Sequence, residues 1–256
     1  MKLNYKKSGQ GQPLIILHGL FGSLDNWQTI ARHLSENFEV YSVDLRNHGQ
    51  SPHSEQWDYR VMSEDILELF EDNNIKDAVL MGHSMGGKTA MNFALEHCAL
   101  LNKLIVVDIA PKSYPVHHDK ILEGLRSVNL EAISSRKQAE EQLSKYISDA
   151  GIIQFLMKNL YWKEMEAKKL AWRFNLKVID RNIEKVGEKT NEEKSCDVPT
   201  IFVKGEKSNY IQEKDMELAQ IIFPDSKLIS IPGAGHWIHA EQPQLFLQEI
   251  RNFLKN

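Results

Sequence analysis

The sequence predicts an α/β protein with a mostly parallel, doubly wound sheet that helices cover on both faces. Short apolar runs rich in strand-forming residues alternate with helical patterns along most of the 256 residues. Several of these runs are apolar at every position, which indicates strands without a water-facing side. The length suits one large domain, or one domain that carries an insertion.

Six runs account for the predicted strands, and they cover residues 13–17, 38–45, 78–81, 103–109, 200–203 and 227–231. Helical patterns lie between them, near residues 24–34, 59–73, 85–97, 211–223 and 240–254. The alternation stops between residues 112 and 197, where the chain is charged and gives few strand signals. We therefore expect a core of residues 1–111 and 198–256, with residues 112–197 inserted as a helical cap or lid over the strand ends. A helical decoration without a function is the alternative.

Composition narrows the range of partners. The net charge is -4 with the signs well mixed, so we expect no nucleic-acid partner. No apolar run is long enough to cross a membrane and the first residues lack a signal peptide, so we expect a cytoplasmic protein without stable membrane insertion. Cys98 and Cys196 lie far apart in the sequence and outside any zinc-ligand pattern, so we expect neither a disulfide framework nor a zinc site. The sequence leaves the oligomeric state open.

The stretch "VLMGHSMGGKTAMNFAL" indicates a nucleophilic serine. An apolar strand runs into Gly82-His-Ser84-Met-Gly86 and a helical pattern follows at once. A turn this sharp strains the central residue and brings backbone segments together, so it needs glycine on both sides. Ser84 would then project from the sheet edge. The alternative is a tight turn that contains a serine by chance.

An oxyanion hole requires two backbone N–H groups that converge on the developing charge. We expect one from Met85, at the positive end of the helix, and the other from Leu20 in "LIILHGLFGSLDNW". Gly19 would let the chain turn so that the Leu20 amide faces the pocket. The alternative is a glycine turn that ends a strand, with His18 in a structural role.

The base is expected to be His236, in the glycine-rich loop of "KLISIPGAGHWIHAEQPQLF". This histidine follows the last predicted strand, where the order nucleophile, acid, base places it. His239 is the competitor, but the residues after it have the pattern of a helix start, so capping or packing suits it better.

The segments "LHGLFGSLDNW", "VDLRNHGQSP", "GHSMGGK", "VDIAP", "WRFN" and "GAGHWIHAEQP" together resemble the α/β-hydrolase superfamily, and within it the YbfF-type esterases. The resemblance runs in order from about residue 14 to the end of the chain. It implies an α/β-hydrolase fold with an eight-stranded core and a helical cap. It also implies a serine esterase or thioesterase that uses no metal and no organic cofactor.

The acid is absent from the position where such enzymes often have one. The stretch "VKGEKSNY" has no aspartate after its glycine, Glu206 comes too early, and Asp215 falls on the next helix. Asp108 instead ends the apolar run "KLIVVDI", next to the Ser84 strand, where a buried carboxylate needs a partner such as His236. The resemblance also implies an acid at this earlier strand. The alternative is that Asp108 bonds backbone near residues 112 and 113 at the start of the insertion.

Other side chains are expected near the pocket. Phe21 and Trp237 would form apolar walls, while Phe174 and Arg173 would either line the pocket and contact an acidic head group or pin the insertion down. We expect the segment after residue 43 to brace the active-site loops through Asp44, Arg46 and Ser51, with His48 in a structural role.

The function predicted from these residues is hydrolysis of small to medium acyl esters or acyl-CoA thioesters, through an acyl-enzyme on Ser84. Halide and epoxide chemistry in this superfamily uses an aspartate at the nucleophile position, which Ser84 argues against. An acyltransferase, a perhydrolase or a C–C hydrolase could share the same triad. A non-catalytic binding protein on the same fold is a further alternative.

Overall fold

Parallel strands form the centre of the computed structural model, which describes residues 1–115, 118–167 and 169–255. The strands are β1 (Tyr5–Ser8), β2 (Gln12–Leu17), β3 (Phe38–Val43), β4 (Ala78–His83), β5 (Leu101–Val107), β6 (Leu160–Glu164), β7 (Lys169–Trp172), β8 (Thr200–Gly205) and β9 (Ser226–Ile231). Seven of them form one sheet in the order β1-β3-β2-β4-β5-β8-β9. Only β1 runs antiparallel to its neighbour.

Helices cover both faces of the sheet, and further helices lie in the segment between β5 and β8. They are α1 (Gln28–Leu34), α2 (Tyr59–Asp72), α3 (Met85–His97), α4 (Asp119–Ser127), α5 (Arg136–Leu143), α6 (Ala150–Met157), α7 (Leu176–Arg181), α8 (Asp215–Ile222), α9 (Ile238–Glu241) and α10 (Pro243–Lys255). Short 3₁₀ turns lie at Leu24–Trp27, Cys98–Leu100 and Ile183–Gly187. None of the helices in the described part of the chain has the length and apolarity that a bilayer crossing requires.

Both faces of the sheet are buried, as the continuous apolar runs predict. Successive residues of β4 point to opposite faces. Val79 shares a core cluster with Trp27 and Phe246, from the side of α1 and α10. Leu80 shares another with Phe70, from the side of α2 and α3. The mostly parallel, doubly wound sheet is thus confirmed.

The strand count differs from the eight that the resemblance implies. The described residues contain seven strands in the main sheet, six of which coincide with the predicted runs. The seventh, β1, has the sequence YKKS and pairs at the sheet edge. Its two lysines point to solvent, so it has no apolar run by which the sequence could reveal it.

Residues 112–197, hereafter the insertion, lie between β5 and β8. Helices α4 to α7 belong to this segment, in agreement with the helical pattern. The insertion also contains an antiparallel hairpin of β6 and β7, so the expectation of helices alone is wrong. Both strands are short and partly exposed, with charged residues at their turn, which weakens the strand pattern.

A disulfide joins Cys98, after α3, to Cys196, before β8. The sequence-based expectation that the two cysteines stay unlinked is therefore wrong. They are 98 residues apart in the chain, but β5 lies between β4 and β8 in the sheet. This order brings the end of α3 next to the start of β8, with a Cα–Cα distance of 5.7 Å. The loop that the disulfide closes contains the insertion up to residue 196.

Lys88 on α3 joins both ends of the insertion to the core. Its buried ammonium donates to the carbonyl oxygens of Lys112, at 2.6 Å, and Glu188, at 2.8 Å. Between the same ends, the Thr190 N–H donates to the Pro111 carbonyl at 2.8 Å. Burial lowers the pKa of Lys88 to about 7, and the charge of Lys112 adds to the effect. This role of Lys88 was not predicted from the sequence, although a lysine on an otherwise apolar helix face can indicate a buried, paired ammonium.

Replacing both Cys98 and Cys196 by alanine is expected to lower the free energy of unfolding by roughly 3–5 kcal/mol, because the unfolded chain regains the freedom of a long loop. Urea denaturation of the double variant, beside oxidised and reduced wild type, measures the change. Reduced wild type should unfold close to the variant. A variant as stable as oxidised wild type would contradict the expected contribution of the disulfide.

Lys88→Met is expected to remove a pH dependence of stability. Because the pKa of folded Lys88 is about 7 and its ordinary value is 10.5, the unfolded chain binds more protons between these two pH values. The free energy of unfolding of the wild type therefore rises with pH across this window, relative to the variant, by up to about 1.4 kcal/mol per pH unit. Urea denaturation of both proteins at pH 6.5 and 9.5 measures the difference, and a constant difference would exclude a depressed pKa at Lys88.

Candidate active site

The carboxyl ends of the central strands meet at one edge of the sheet. In the register, Leu17 of β2 lies beside Gly82 of β4, and His83 lies beside Val107 of β5. Three loops therefore leave the sheet side by side, and they begin at His18, Ser84 and Asp108. Open α/β sheets bind their ligands at this edge.

Ser84 forms the sharp turn between β4 and α3. Its φ of 52° lies in the left-handed region, which for a serine signals strain of roughly 1–3 kcal/mol. The Ser84 N–H donates to Val107 at 2.9 Å. A Cβ on Gly82 would lie 2.1 Å from the Gly86 oxygen, and a Cβ on Gly86 would lie 2.5 Å from the oxygens of Leu17 and His18. Only glycine fits at both positions, as the predicted turn requires.

Asp108 follows β5 directly and is fully buried, with a φ of 49°. Its carboxylate accepts hydrogen bonds from the Gly205 N–H at 3.1 Å and from the Ser208 hydroxyl at 2.5 Å. It also lies 2.7 Å from Nδ1 of His236. Because a carboxylate only accepts, Nδ1 carries the proton, and in the neutral ring Nε2 of His236 therefore has a free lone pair.

The other two acids near the predicted position have different partners. Glu206 accepts from the Gly233 N–H at 2.7 Å. Asp215 pairs with Lys112 at 2.6 Å and lies at the start of α8. Ser208 was missed as a partner of Asp108, although it stands in the "VKGEKSNY" stretch where the expected aspartate is absent. A hydroxyl there could have been read as a donor to a carboxylate from a neighbouring strand.

A tight turn after β2 carries the predicted oxyanion amide of Leu20. The Gly22 N–H donates to the Gly19 carbonyl at 2.9 Å, which leaves Leu20 and Phe21 at the centre of the turn. Phe21 has a φ of 57°. Since Gly86 packs directly against the end of β2, the first turn of α3, including Met85, lies next to this loop.

Two buried histidines support the same turn. His18 donates from Nδ1 to the Gly19 carbonyl at 2.8 Å and accepts at Nε2 from the Leu45 N–H at 3.0 Å. His48 accepts at Nε2 from the Phe21 N–H at 3.2 Å. Burial lowers the pKa of His18 to about 4. Burial, and then the charge of His18, lowers the pKa of His48 to about 3, so both rings are neutral at pH 7.

The segment after β3 braces this region. Asp44 accepts from the N–H groups of Leu24, at 2.8 Å, and Gln50, at 2.9 Å. Arg46 forms a buried ion pair with Asp65 of α2 at 2.6 Å. Asp65 was not singled out in the sequence, where it reads as one more acid on an amphipathic helix.

His239 packs against Trp27 instead of pairing with Asp108. Its ring stacks on Trp27 with a centroid distance of 4.0 Å. Burial and the charge of His236 lower the pKa of His239 to about 3. This arrangement agrees with the packing role expected from the sequence.

Two cavities meet at Ser84 and share Leu20, His118 and Tyr210 in their walls. The larger, of about 490 Å³, is mostly apolar and is lined by residues such as Ile109 and Val186. The smaller, of about 290 Å³, is lined by His236 and aromatic side chains. The aromatic residues of the smaller cavity include Phe21, Phe155 and Trp237.

Phe174 and Arg173 lie elsewhere. Within the described chain, neither is among the residues that line the two cavities. Phe174 is buried between Phe21, at 5.0 Å, and Trp172, at 5.3 Å, measured between ring centroids. The Arg173 guanidinium covers the ring of Tyr161 at 4.8 Å. Of the two roles expected for them, pinning the insertion fits Phe174, because its ring packs on Phe21 of the turn after β2. The Arg173 guanidinium contact lies within the insertion itself.

The chain is similar to known α/β hydrolases over nearly its whole length. Residues 12–131 match the family model described as alpha/beta hydrolase fold. Esterase YbfF of Escherichia coli strain K12 is 37% identical over 266 residues, covering 100% of both chains. The sn-1-specific diacylglycerol lipase ABHD11 of Xenopus laevis is 38% identical, covering 98% of this chain and 82% of its own length.

A solved structure titled "Marine microorganism esterase" superposes with a TM-score of 0.93 at 43% identity, covering 98% of this chain and 99% of its own. With identities of this size over nearly the whole chain, the protein belongs to the α/β-hydrolase superfamily and, within it, to the YbfF-type esterases.

Proposed function

We propose that the protein is a serine esterase that forms an acyl-enzyme on Ser84. Its family makes it a carboxylic-ester hydrolase. The observation that carries the residue roles is the 2.7 Å contact between Asp108 and Nδ1 of His236, at the sheet edge where Ser84 stands. Three distant segments supply an alcohol, a base and an acid to one small region.

In the proposed reaction, Nε2 of His236 takes the Ser84 proton as the hydroxyl attacks the ester carbonyl. The amides of Leu20 and Met85 stabilise the tetrahedral oxyanion. His236 then protonates the leaving alcohol, and a water activated by the same nitrogen releases the acid. Asp108 keeps the imidazole in the required tautomer and stabilises its charged form.

The two cavities support an assignment of the two halves of the substrate. The leaving group must lie beside His236, because this residue delivers the proton to it. His236 lines the smaller cavity, so we assign the smaller cavity to the alcohol and the larger apolar one to the acyl chain. A volume of about 490 Å³ suits small to medium acyl groups. Glycerolipid esters belong among the candidate substrates, since the name of the Xenopus laevis relative describes a diacylglycerol lipase. Acyl-CoA thioesters are a further proposal.

The insertion is proposed to act as the cap of this site. Val186 and Tyr114, from its two ends, line the larger cavity, while Phe155 of α6 lines the smaller one. The boundaries at residues 112 and 197 stay a prediction. The cytoplasmic location also stays a prediction. The Cys98–Cys196 disulfide argues against it, because disulfides persist mainly in oxidising compartments.

A fluorophosphonate probe is expected to label the wild type at Ser84 and to leave Ser84→Ala unlabelled, since the probe reacts with an activated serine. Mass spectrometry of the labelled peptide identifies the site. Labelling at another serine would refute Ser84 as the nucleophile, and no labelling at all would favour a non-catalytic protein. Product analysis with added alcohol then separates hydrolysis from acyl transfer.

Asp108→Asn is expected to lower kcat by roughly 10³–10⁴-fold, because an amide cannot hold the tautomer that leaves Nε2 as a base. Glu206→Gln is the matched control, since it changes an acid that pairs with Gly233 instead of His236. Steady-state kinetics on a p-nitrophenyl ester measures both. Near-normal turnover in Asp108→Asn would refute the assignment of the acid.

Val186→Phe is expected to narrow the larger cavity and so to shorten the acyl chains accepted. Relative to acetate, kcat/KM for the longest acyl group turned over by wild type should fall by about 10-fold or more. A panel of p-nitrophenyl esters of graded chain length measures this, with Ile221→Phe on the exposed face of α8 as the control. An unchanged chain-length profile would show that the acyl chain occupies another cavity.

A further inference from the structure

Two hydrogen bonds from different parts of the molecule restrain Phe21, the residue after the oxyanion residue Leu20. One involves its N–H and the other its carbonyl oxygen. Phe21 is buried and has the left-handed φ of 57°, which a bulky residue adopts only where its surroundings impose it. The turn from Gly19 to Gly22 has one internal hydrogen bond. The remaining restraints on this turn therefore decide where the Leu20 amide points.

The core supplies the restraint on the amide side of Phe21. Nε2 of His48 accepts the Phe21 N–H at 3.2 Å, while Nδ1 of the same ring contacts the Arg46 carbonyl at 2.9 Å. Since Nε2 is an acceptor here, the ring must be neutral with its proton on Nδ1. The buried position of His48, which lowers its pKa to about 3, keeps it in this form.

The insertion supplies the restraint on the carbonyl side. Nδ2 of Asn159 donates to the Phe21 oxygen at 2.7 Å, between two buried groups. Asn159 lies between α6 and β6, and its own carbonyl accepts from the Arg173 N–H at 2.9 Å, which fixes it to the hairpin. Within the described chain its Oδ1 has no hydrogen-bond partner, so the contact with Phe21 is what orients this amide.

We propose that Asn159 is a positioning residue that fixes the Phe21 turn. The geometry of the oxyanion hole thereby depends on the position of the insertion against the core. The proposal rests on the proposed function, in which Leu20 donates to the oxyanion. When the insertion packs on the core as in this structure, Asn159 donates to the Phe21 carbonyl and this contact restrains the strained turn. Without the contact, that carbonyl loses its partner and the turn can relax to a conformation that directs the Leu20 amide away.

This role predicts which kinetic constant changes. The oxyanion forms only after attack, so a displaced Leu20 amide weakens the transition state and leaves ground-state binding of the ester unchanged. Loss of a direct oxyanion donor costs about 10²–10³-fold in kcat, and loss of a residue that positions a donor should cost a part of this. A general loosening of the insertion would instead raise KM, since the insertion forms the walls of both cavities.

The experiment compares Asn159→Leu, which keeps the size of the side chain and removes its donor, with Asn175→Ala. Asn175 is the matched control, because its Nδ2 also links the insertion to the core, at 3.1 Å from Oδ1 of Asn47, without touching the oxyanion turn. We expect Asn159→Leu to lower kcat by about 10- to 100-fold with KM changed less than about 2-fold. Its affinity for a trifluoromethyl ketone, whose adduct with Ser84 carries an oxyanion, should fall by a similar factor. Asn159→Ser is the second variant if the leucine variant does not fold.

Hydrogen exchange of the peptide that contains residues 18–22 gives a readout independent of turnover. Exchange there should be faster in Asn159→Leu than in wild type and unchanged in Asn175→Ala. Unchanged exchange and kcat in Asn159→Leu would overturn the proposal, as would equal losses in both variants or an effect on KM alone. If wild type fails to hydrolyse esters or to bind the ketone, the proposed function falls, while the exchange data still decide whether Asn159 holds the turn.

Discussion

The buried carboxylate of Asp108 imposes the strongest constraint on the candidate site. A fully buried charge is costly unless donors surround it. Here the donors come from Gly205 at the end of β8, from Ser208 on the loop after it and from His236 on the loop after β9. The need to pair this one charge therefore draws two otherwise independent loops toward the end of β5. The position of the His236 imidazole follows from that convergence.

Left-handed backbone recurs in three of the loops at the same sheet edge. Phe21, Ser84 and Asp108 follow β2, β4 and β5, and all three have φ values between 49° and 57°. Non-glycine residues in this region persist only where their neighbours determine them. The hydrogen bonds to Val107, Val203, His48 and Asn159 supply that determination. The rigid sheet thus holds three unfavourable turns side by side, which is how a site can keep its groups in place before a ligand arrives.

Local patterns in the sequence predict the centre of the fold well. The strands next to Ser84 are apolar at nearly every position because both faces are buried, and the glycines around Ser84 are required by backbone contacts shorter than 3 Å. The pairing of Asp108 with His236 also follows from the order of the strands, since parallel strands end at one edge. The sequence could not reveal β1, whose two central lysines are exposed, or the hairpin of β6 and β7. For Lys88 the sequence offers a lysine on an apolar helix face but leaves its partners open, because they are backbone carbonyls of distant segments. The partner of Asn159 is likewise a distant backbone carbonyl, which has no residue-type signature.

The Cys98–Cys196 disulfide has a consequence for the fate of a damaged chain. The covalent loop that it closes includes the insertion up to residue 196. A protease that cuts an exposed loop there, such as the β6–β7 turn around Met165, would leave both fragments tethered. The nicked molecule would migrate as one band on a denaturing gel without reductant and as two bands with it.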